Sequence, residues 1–536
     1  MNAPVYLDHA ATTPVDPRVL AAMMAVLGPD SGHGNPASVQ HPEGQRAAAA
    51  VARARAEVAQ LIHAHAREIV WTSGATEANN LALKGAAQFY RERGRHLVSA
   101  LTEHPSVRDP LAALEAQGFA VTRLSPAADG RIHPEQLAAA LRPDTVLVSL
   151  MHVNNETGII QDIAALGAVC QAREVRFHVD AAQSAGRLPI DVRTLPVDYL
   201  SLSAHKLYGP QGIGALYVRD RPRAGLAPQM HGGGQERGRR SGTLATHQIV
   251  GMGAAAALIH QERETEQARL ALLMARLQQA LADLPDLLLV GAQAPRVPGI
   301  VNVAVQGVAG EALLASLWGT VSASAGSACT AAEGEPSAVL QALGLDPVTA
   351  QGALRLSPGR WTGEAEIDQT AAVLRRTILR LRRVAAGESV DDLPGPAALP
   401  PVYGAAVTAW FGHLRGAGRL SPGPGVVTGE AGAPRLGRWV RWDLAVRAER
   451  IERARFSAWG CPATLAVAAW TAQWLEGRDL VAAAALTGAQ MAEALDLAGA
   501  RRGVALTVED ALRAALAAQH GAGMSTQSVR SELCRN

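Results

Sequence analysis

The chain carries 50 lysine plus arginine residues, and only two of them, Lys84 and Lys206, are lysine. A guanidinium stays protonated and cannot condense with an aldehyde, whereas a desolvated lysine amine can. Lys206 stands in Ser203-Ala204-His205-Lys206-Leu207-Tyr208-Gly209-Pro210, after the apolar stretch Val197 to Leu202, a context that predicts a strand ending in a polar turn. Lys84, in Asn80-Leu81-Ala82-Leu83-Lys84-Gly85, has no such setting, and codon bias toward arginine accounts for it as a survivor. Thr72-Ser73-Gly74-Ala75-Thr76-Glu77-Ala78-Asn79-Asn80 follows a predicted strand ending at Trp71 and leads into a helix. Its small residues would offer N–H groups and a hydroxyl to an anion at the helix start. Phe177-His178-Val179-Asp180 places a carboxylate at a strand end, where it can pair with a protonated ring nitrogen. Gly232-Gly233-Gly234-Gln235-Glu236-Arg237, running on to Arg240-Ser241-Gly242-Thr243, is a second glycine-rich loop with hydroxyls that could reach phosphate. Each piece alone is a weak signal. A phosphate cup, a ring-pairing aspartate and a reactive amine, in that order, describe a site for pyridoxal 5'-phosphate (PLP).

A second reactive group is a thiol. Of the four cysteines, Cys329 lies in Ser322-Ala323-Ser324-Ala325-Gly326-Ser327-Ala328-Cys329-Thr330-Ala331-Ala332-Glu333-Gly334, a run of small and polar residues unsuited to tight packing. A mobile loop suits a thiolate that attacks and then delivers what it has taken. Buried, inert cysteine is the commoner state of a free thiol, and Cys170, inside the apolar helical stretch Ala164 to Cys170, fits that state. Cys461 and Cys534 complete the set. No C-x-x-C spacing occurs, so neither a zinc site nor a disulfide framework is expected.

These residues need elements to position them. From Met1 to about Val384, Ala- and Leu-rich helical stretches alternate with β-branched runs such as Glu68 to Trp71, Thr145 to Leu150 and Arg176 to Val179. Such alternation predicts an α/β domain with a mainly parallel sheet. A helix from Arg46 to His65 should bury Val51, Val58 and Ile62, while His63 and His65, two apart, face different sides and read as surface histidines. Between Ala385 and Arg438 come seven prolines and many glycines, which mark a linker over 385–401. Six of the nine tryptophans fall after residue 400, predicting a second, separate core from about Val402 to His520, preceded by a helical segment Tyr403 to Leu414. Residues 521–536 read as a polar tail. A net charge of +2 gives no basic footprint for nucleic acid. The absence of a basic-then-apolar leader or a long apolar run predicts no membrane span and a cytoplasmic setting with reduced thiols.

Many ordered motifs resemble one family. Tyr6-Leu7-Asp8-His9-Ala10-Ala11-Thr12-Thr13-Pro14, Gly34-Asn35-Pro36-Ala37-Ser38, Thr102-Glu103-His104, Met151 to Gly158, Ser203 to Gly209, Arg240 to Thr243 and Ser327-Ala328-Cys329-Thr330 are similar to the cysteine desulfurases of iron-sulfur cluster assembly, over roughly residues 5 to 380. The resemblance implies a fold-type I PLP enzyme with a large domain and a smaller α+β domain. It also implies a homodimer with shared active sites that converts L-cysteine to L-alanine, holding the sulfur as a persulfide on Cys329 for acceptor proteins such as a cluster scaffold. It assigns Lys206 the covalent link to PLP and the α-proton shuttle, His104 ring stacking and acid-base work, and Asp180 the ring nitrogen. Asn155 and Gln183 would contact the phenolic oxygen side; Ala75, Thr76, Ser203 and His205 would bind phosphate, with Thr243 arriving from the partner subunit. Asn35 and Arg355 would clamp the substrate carboxylate, for which a bidentate arginine is suited.

Residues 402 to 520 resemble the iron-sulfur scaffold proteins, chiefly through Ile451 to Ala463 and Val508-Glu509-Asp510-Ala511-Leu512. That family binds a cluster through three cysteines and an aspartate. Here the matching positions are Leu436, Cys461, a site near Val504, and Arg438, and one thiolate cannot hold a cluster that ordinarily takes about four ligands. The domain is therefore expected not to assemble clusters alone. Passing sulfur through Cys461, occupying the scaffold-docking surface and supporting the dimer remain open as its role. Other fold-type I activities, selenocysteine lyase or aminotransferase, are alternatives, though an aminotransferase needs no nucleophilic thiol. A protein mainly of sulfur relay or assembly is the alternative from a different class.

Overall fold

The computed structural model describes residues 3–29, 33–325 and 337–532, with side chains described as far as Gln519. Seven strands form the main sheet in the spatial order Ile69–Thr72, Gly214–Val218, Tyr199–Ser203, Arg176–Asp180, Thr145–Met151, His96–Ala100 and Ala120–Leu124. All run one way except Gly214–Val218, which pairs antiparallel with both neighbours. The β-branched runs in the sequence become strands within a residue of their predicted ends. Glu68 stays outside its strand because its carboxylate accepts from the His65 N–H at 2.9 Å and closes a tight turn over Ala66–Glu68. Thr145–Met151 is buried throughout, as expected of a strand covered on both faces.

The predicted helix near Arg46 spans Pro42–Leu61, with Pro42 in its first turn and the His41 ring accepting from the Gly44 N–H. It ends before His65 because His63 turns to φ 56°. Val51, Val58 and Ile62 are buried, and His63 and His65 are exposed. A 36-residue helix, Thr246–Leu281, ties the large domain to the smaller one. Its first half buries Ile249, Met252 and Ile259 against the main sheet, and its second half buries Leu270, Leu273 and Leu277 in the next core. There a four-stranded antiparallel sheet, ordered Ser324–Ala325, Ala353–Leu356, Val301–Val305 and Leu287–Leu289, packs with the helix Glu364–Ala386.

The C-terminal module has its own antiparallel sheet of Val426–Ala433, Arg438–Arg447 and Arg450–Trp459, covered by the helices Pro462–Leu475 and Gly503–Glu532. The module is a separate unit with its own sheet, as expected, and its buried cluster continues into the small domain. Leu381 and Val384 of the helix Glu364–Ala386 join one buried cluster with Phe411, Trp442 and Phe456, and Val390 and Leu399 of the proline-rich stretch are buried in it too. The helix Glu364–Ala386 lies directly against the strand Arg450–Trp459, which joins the two buried regions. Arg380, 2% exposed, donates to the carbonyls of Phe411 at 2.6 Å and Gly412 at 3.1 Å across the same junction. The last helix continues through the expected polar tail as far as Glu532, with no proline to stop it. Among the described residues, no helix is long and apolar enough to cross a membrane, and no group of three or more His, Cys, Asp or Glu could hold a metal ion.

Candidate active site

In the main sheet the chain leaves five parallel strands at their carboxyl ends toward one cavity of about 510 Å³, the end where open α/β sheets bind ligands. After Thr72, the segment Ser73 to Thr76 turns into the helix Ala75–Tyr90. Gly74 adopts φ 156°, a conformation side chains rarely take, and a Cβ there would meet open space. The first helical backbone bond runs from the Ala78 N–H to the Gly74 carbonyl, so the N–H groups of Ala75, Thr76 and Glu77 lie upstream of it at the cavity. The Glu77 carboxylate accepts from the Ser73 N–H at 2.6 Å and is neutralised by Arg240 at 2.8 Å.

Ser203 ends its strand, and the turn Ala204–Lys206 brings His205 and Lys206 to the cavity. His205 has its pKa lowered to about 4, first by burial and then by Lys206, so its ring is neutral at pH 7. The Thr12 hydroxyl accepts from the Gln211 amide at 3.3 Å and lies 3.1 Å from His205 Nδ1. Ala75, Thr76, Ser203 and His205 line this one cavity together.

Asp180 ends the strand Arg176–Asp180, and its Oδ1 accepts from the Ala182 N–H at 2.9 Å. Its buried neighbour Glu103 is pushed well above the carboxylate range, chiefly by burial and also by the nearby Asp180. Gln183 is fixed at both ends of its amide: Oε1 accepts from Arg187 at 2.8 Å and Nε2 donates to the Ala10 carbonyl at 2.8 Å. One Nε2 proton remains for a ligand, and Gln183 and Asn155 both line the cavity. His104 caps the helix Pro105–Glu115, and burial lowers its pKa.

Arg355, with its side chain 2% exposed, donates to Asp8 Oδ1 and to the Asn155 carbonyl, both at 2.8 Å. Its Nε is buried with no protein partner among the described residues, and the residue lines the cavity. This donor set fits PLP: a cradle of N–H and hydroxyl groups, an anchored carboxylate, and an amine. Two expected residues stand elsewhere. Asn35 and Thr243 line a different cavity of about 260 Å³ beside the Arg55–Glu236 pair, and Asn35 Oδ1 accepts from the Ala37 N–H at 3.0 Å. Cys329 lies outside the described residues; the strand Ser324–Ala325 leads to it, and Ser324 Oγ is 3.3 Å from Arg355.

Several contributors leave little trace in the sequence. Asp8, Ser106 and Asn79 lie inside or beside the motifs with no chemical signature of their own, and Arg187 and Gln211 carry no local signal. In the C-terminal module, Leu436 is 69% exposed in the turn Pro434–Leu436, Val504 is buried, and Cys461 caps the helix Pro462–Leu475 with Sγ 3.5 Å from Thr464 Oγ1. Burial, and then Glu311, pushes the Cys461 thiol up. Cys170 is core, as expected, its thiol pushed up to about 12 by burial.

Residues 5–370 match the aminotransferase class-V family, and residues 402–523 match the NifU-like N-terminal domain. A cysteine desulfurase IscS from Pseudoalteromonas translucida is 52% identical over 385 residues, covering 72% of this chain and 95% of that protein. Among solved structures, a NifS-like protein superimposes with a TM-score of 0.64 at 33% identity, covering 70% of this chain and 98% of the other. The structure of SspA in complex with cysteine gives a TM-score of 0.60 at 38% identity, covering 67% and 100%.

Proposed function

Because the chain belongs to the class-V aminotransferase family, among its cysteine desulfurases, and carries a NifU-like domain behind it, we propose that it is a PLP-dependent desulfurase converting L-cysteine to L-alanine. The observation that carries this reading is the convergence of Lys206, Asp180, His104, Gln183, Arg355 and the cradle on one cavity. Bound there, PLP would supply an electron sink for the bonds at the substrate's Cα. Ala75, Thr76, Ser203 and His205 would hold its phosphate, Asp180 the proton on its ring nitrogen, and Gln183 and Asn155 its phenolic side. Arg355 would orient the substrate carboxylate, and the Lys206 amine would take and return the α-proton. The Cys329 thiolate would form an S–S bond to the substrate sulfur as the substrate's Cβ–S bond breaks. That bond's electron pair stays with Cβ, which takes a proton to give alanine, leaving a persulfide on Cys329.

The placement of Asn35 and Thr243 together, away from the main cavity, supports a homodimer in which they serve the partner subunit's site. The domain limits that follow are 1–384 for the desulfurase, 385–401 for the connection and 402–520 for the scaffold-like module, working in the cytoplasm. The module would not assemble clusters by itself, because Leu436, Arg438 and Val504 offer no ligand atoms beside Cys461. The raised thiol of Cys461 weighs against a sulfur relay through it, and the shared core favours a supporting role. Two lysines make a direct test possible. Borohydride reduction of the PLP-loaded protein followed by peptide mass analysis should mark Lys206; a mark on Lys84, or none, would contradict the assignment.

A further inference from the structure

At the cavity wall, four polar side chains from three elements form a chain of hydrogen bonds whose donors can be assigned one by one. Asp180 accepts from Asn79 Nδ2 at 2.8 Å. A carboxylate acceptor requires the Asn79 amino group on that side, and the same nitrogen lies 2.9 Å from Ser106 Oγ. Its second proton therefore goes to the hydroxyl. Ser106 Oγ, having accepted, has one proton to give, and His104 Nδ1 stands 2.8 Å away. The Ser106 backbone N–H donates to the same Nδ1 at 3.1 Å. Nδ1 thus accepts two donors, and the ring's own proton sits on Nε2. Asn79 is fully buried, with its Oδ1 unpartnered among the described residues, so its orientation is set by the two acceptors of its amino group.

We propose that Asn79 and Ser106 are positioning residues of the active site, a relay from Asp180 that commits His104 to the neutral tautomer protonated at Nε2 and fixes its ring at the cavity. The proposal rests on the desulfurase reading for its use, but not for its geometry. Two jobs follow from it. One carboxylate is held by Asn79 and the Ala182 N–H, so that its remaining lone pairs keep a defined direction. One imidazole is kept from taking a second proton at Nδ1, because protonation there would set N–H against the Ser106 backbone N–H, a group that can only donate. The charged groups around His104 are Asp180, Lys206, Arg108 and Asp109, two of each sign, so hydrogen bonding is free to decide the tautomer.

The test is a long-range ¹H–¹⁵N spectrum of the histidine-labelled full chain, taken PLP-free and PLP-loaded, with His104→Gln identifying the signal. The wild type should show the Nε2–H pattern. Ser106→Ala removes the hydroxyl donor and should raise the His104 titration midpoint by about half to one pH unit, the equivalent of one hydrogen bond; Ser106→Thr should restore it. Asn79→Leu, which frees the hydroxyl, should shift it in the same direction. An Nδ1–H pattern in the wild type, an unmoved midpoint in Ser106→Ala and Asn79→Leu, or a Ser106→Thr variant that behaves like alanine would overturn the proposal. Since the signature is read without turnover, a protein that shows it but forms no alanine refutes the desulfurase reading and leaves the relay standing.

Discussion

Glu156 gives a prediction whose size can be worked from the structure. It lies in Asn154-Asn155-Glu156-Thr157, 8% exposed, and its Oε2 accepts from Ser337 Oγ at 2.6 Å. Burial pushes its pKa up to about 7 from an ordinary 4.5, against the opposing pull of Ser337 and Arg355. The unfolded chain releases this proton near pH 4.5 while the folded chain keeps it to about 7, so across that window the unfolded state binds fewer protons and stability falls as pH rises. At about 1.36 kcal/mol per unit, the loss is complete above pH 7 and amounts to about 3 kcal/mol. For a chain of 536 residues with an unfolding entropy near ~2.1 cal/mol/K per residue, that is about 3 °C in Tm. Glu156→Gln keeps an acceptor for Ser337 but has no proton to lose. Scanning calorimetry of both proteins at pH 5 and pH 8 should give similar Tm values at the lower pH and a variant about 3 °C more stable at the higher. Equal Tm values at pH 8, or a variant that loses stability with pH as steeply as the wild type, would refute the reasoning.

Other expected outcomes are shorter to state. Lys206→Arg keeps the charge and loses the amine, so the visible absorbance of bound PLP should change and alanine formation fall below about a thousandth of wild type; an active yellow variant would refute the assignment. Arg355→Lys removes the planar fork held by Asp8 and the Asn155 carbonyl, and KM for cysteine should rise about 10- to 100-fold, read from initial rates. Phe411→Ala opens the core shared by the small domain and the C-terminal module, costing about 3–5 kcal/mol, and should lower one joint calorimetric transition. Two independent transitions in the wild type would contradict the shared core. Under native conditions at pH 8, iodoacetamide should modify Cys329 well before Cys170 or Cys461, as judged by peptide mass spectrometry.

Much of the site was legible because its chemistry is carried by short runs at strand ends. The Thr72 to Asn80 segment, Asp180 and the Ser203 to Lys206 turn each combine a buried strand with an abrupt polar break, and residues of all three line one cavity. Residues that act through others left no such mark. Arg187 reaches Gln183 within one turn, but nothing in their types says that the amide must be oriented; Asp8 meets Arg355 across 347 positions of sequence, a pairing only the fold creates. The fold classes of both modules followed from periodicity and resemblance. Their shared core did not, because proline-rich composition predicts an exposed connection and says nothing of whether Val390 and Leu399 find apolar surface to cover. Asn35 shows the reverse limit: a motif match names a residue for the carboxylate, and one chain alone places it in another cavity.

The central claim is that the chain takes sulfur from cysteine and holds it on Cys329. The direct measurement is a single turnover of the PLP-loaded protein with L-cysteine in the absence of reductant, quantifying alanine and locating sulfur by peptide mass. One alanine per site, with one added sulfur on the Cys329 peptide and none in Cys329→Ser, is the predicted result. No alanine, or alanine accompanied by sulfur bound elsewhere with Cys329 unmodified, would contradict it.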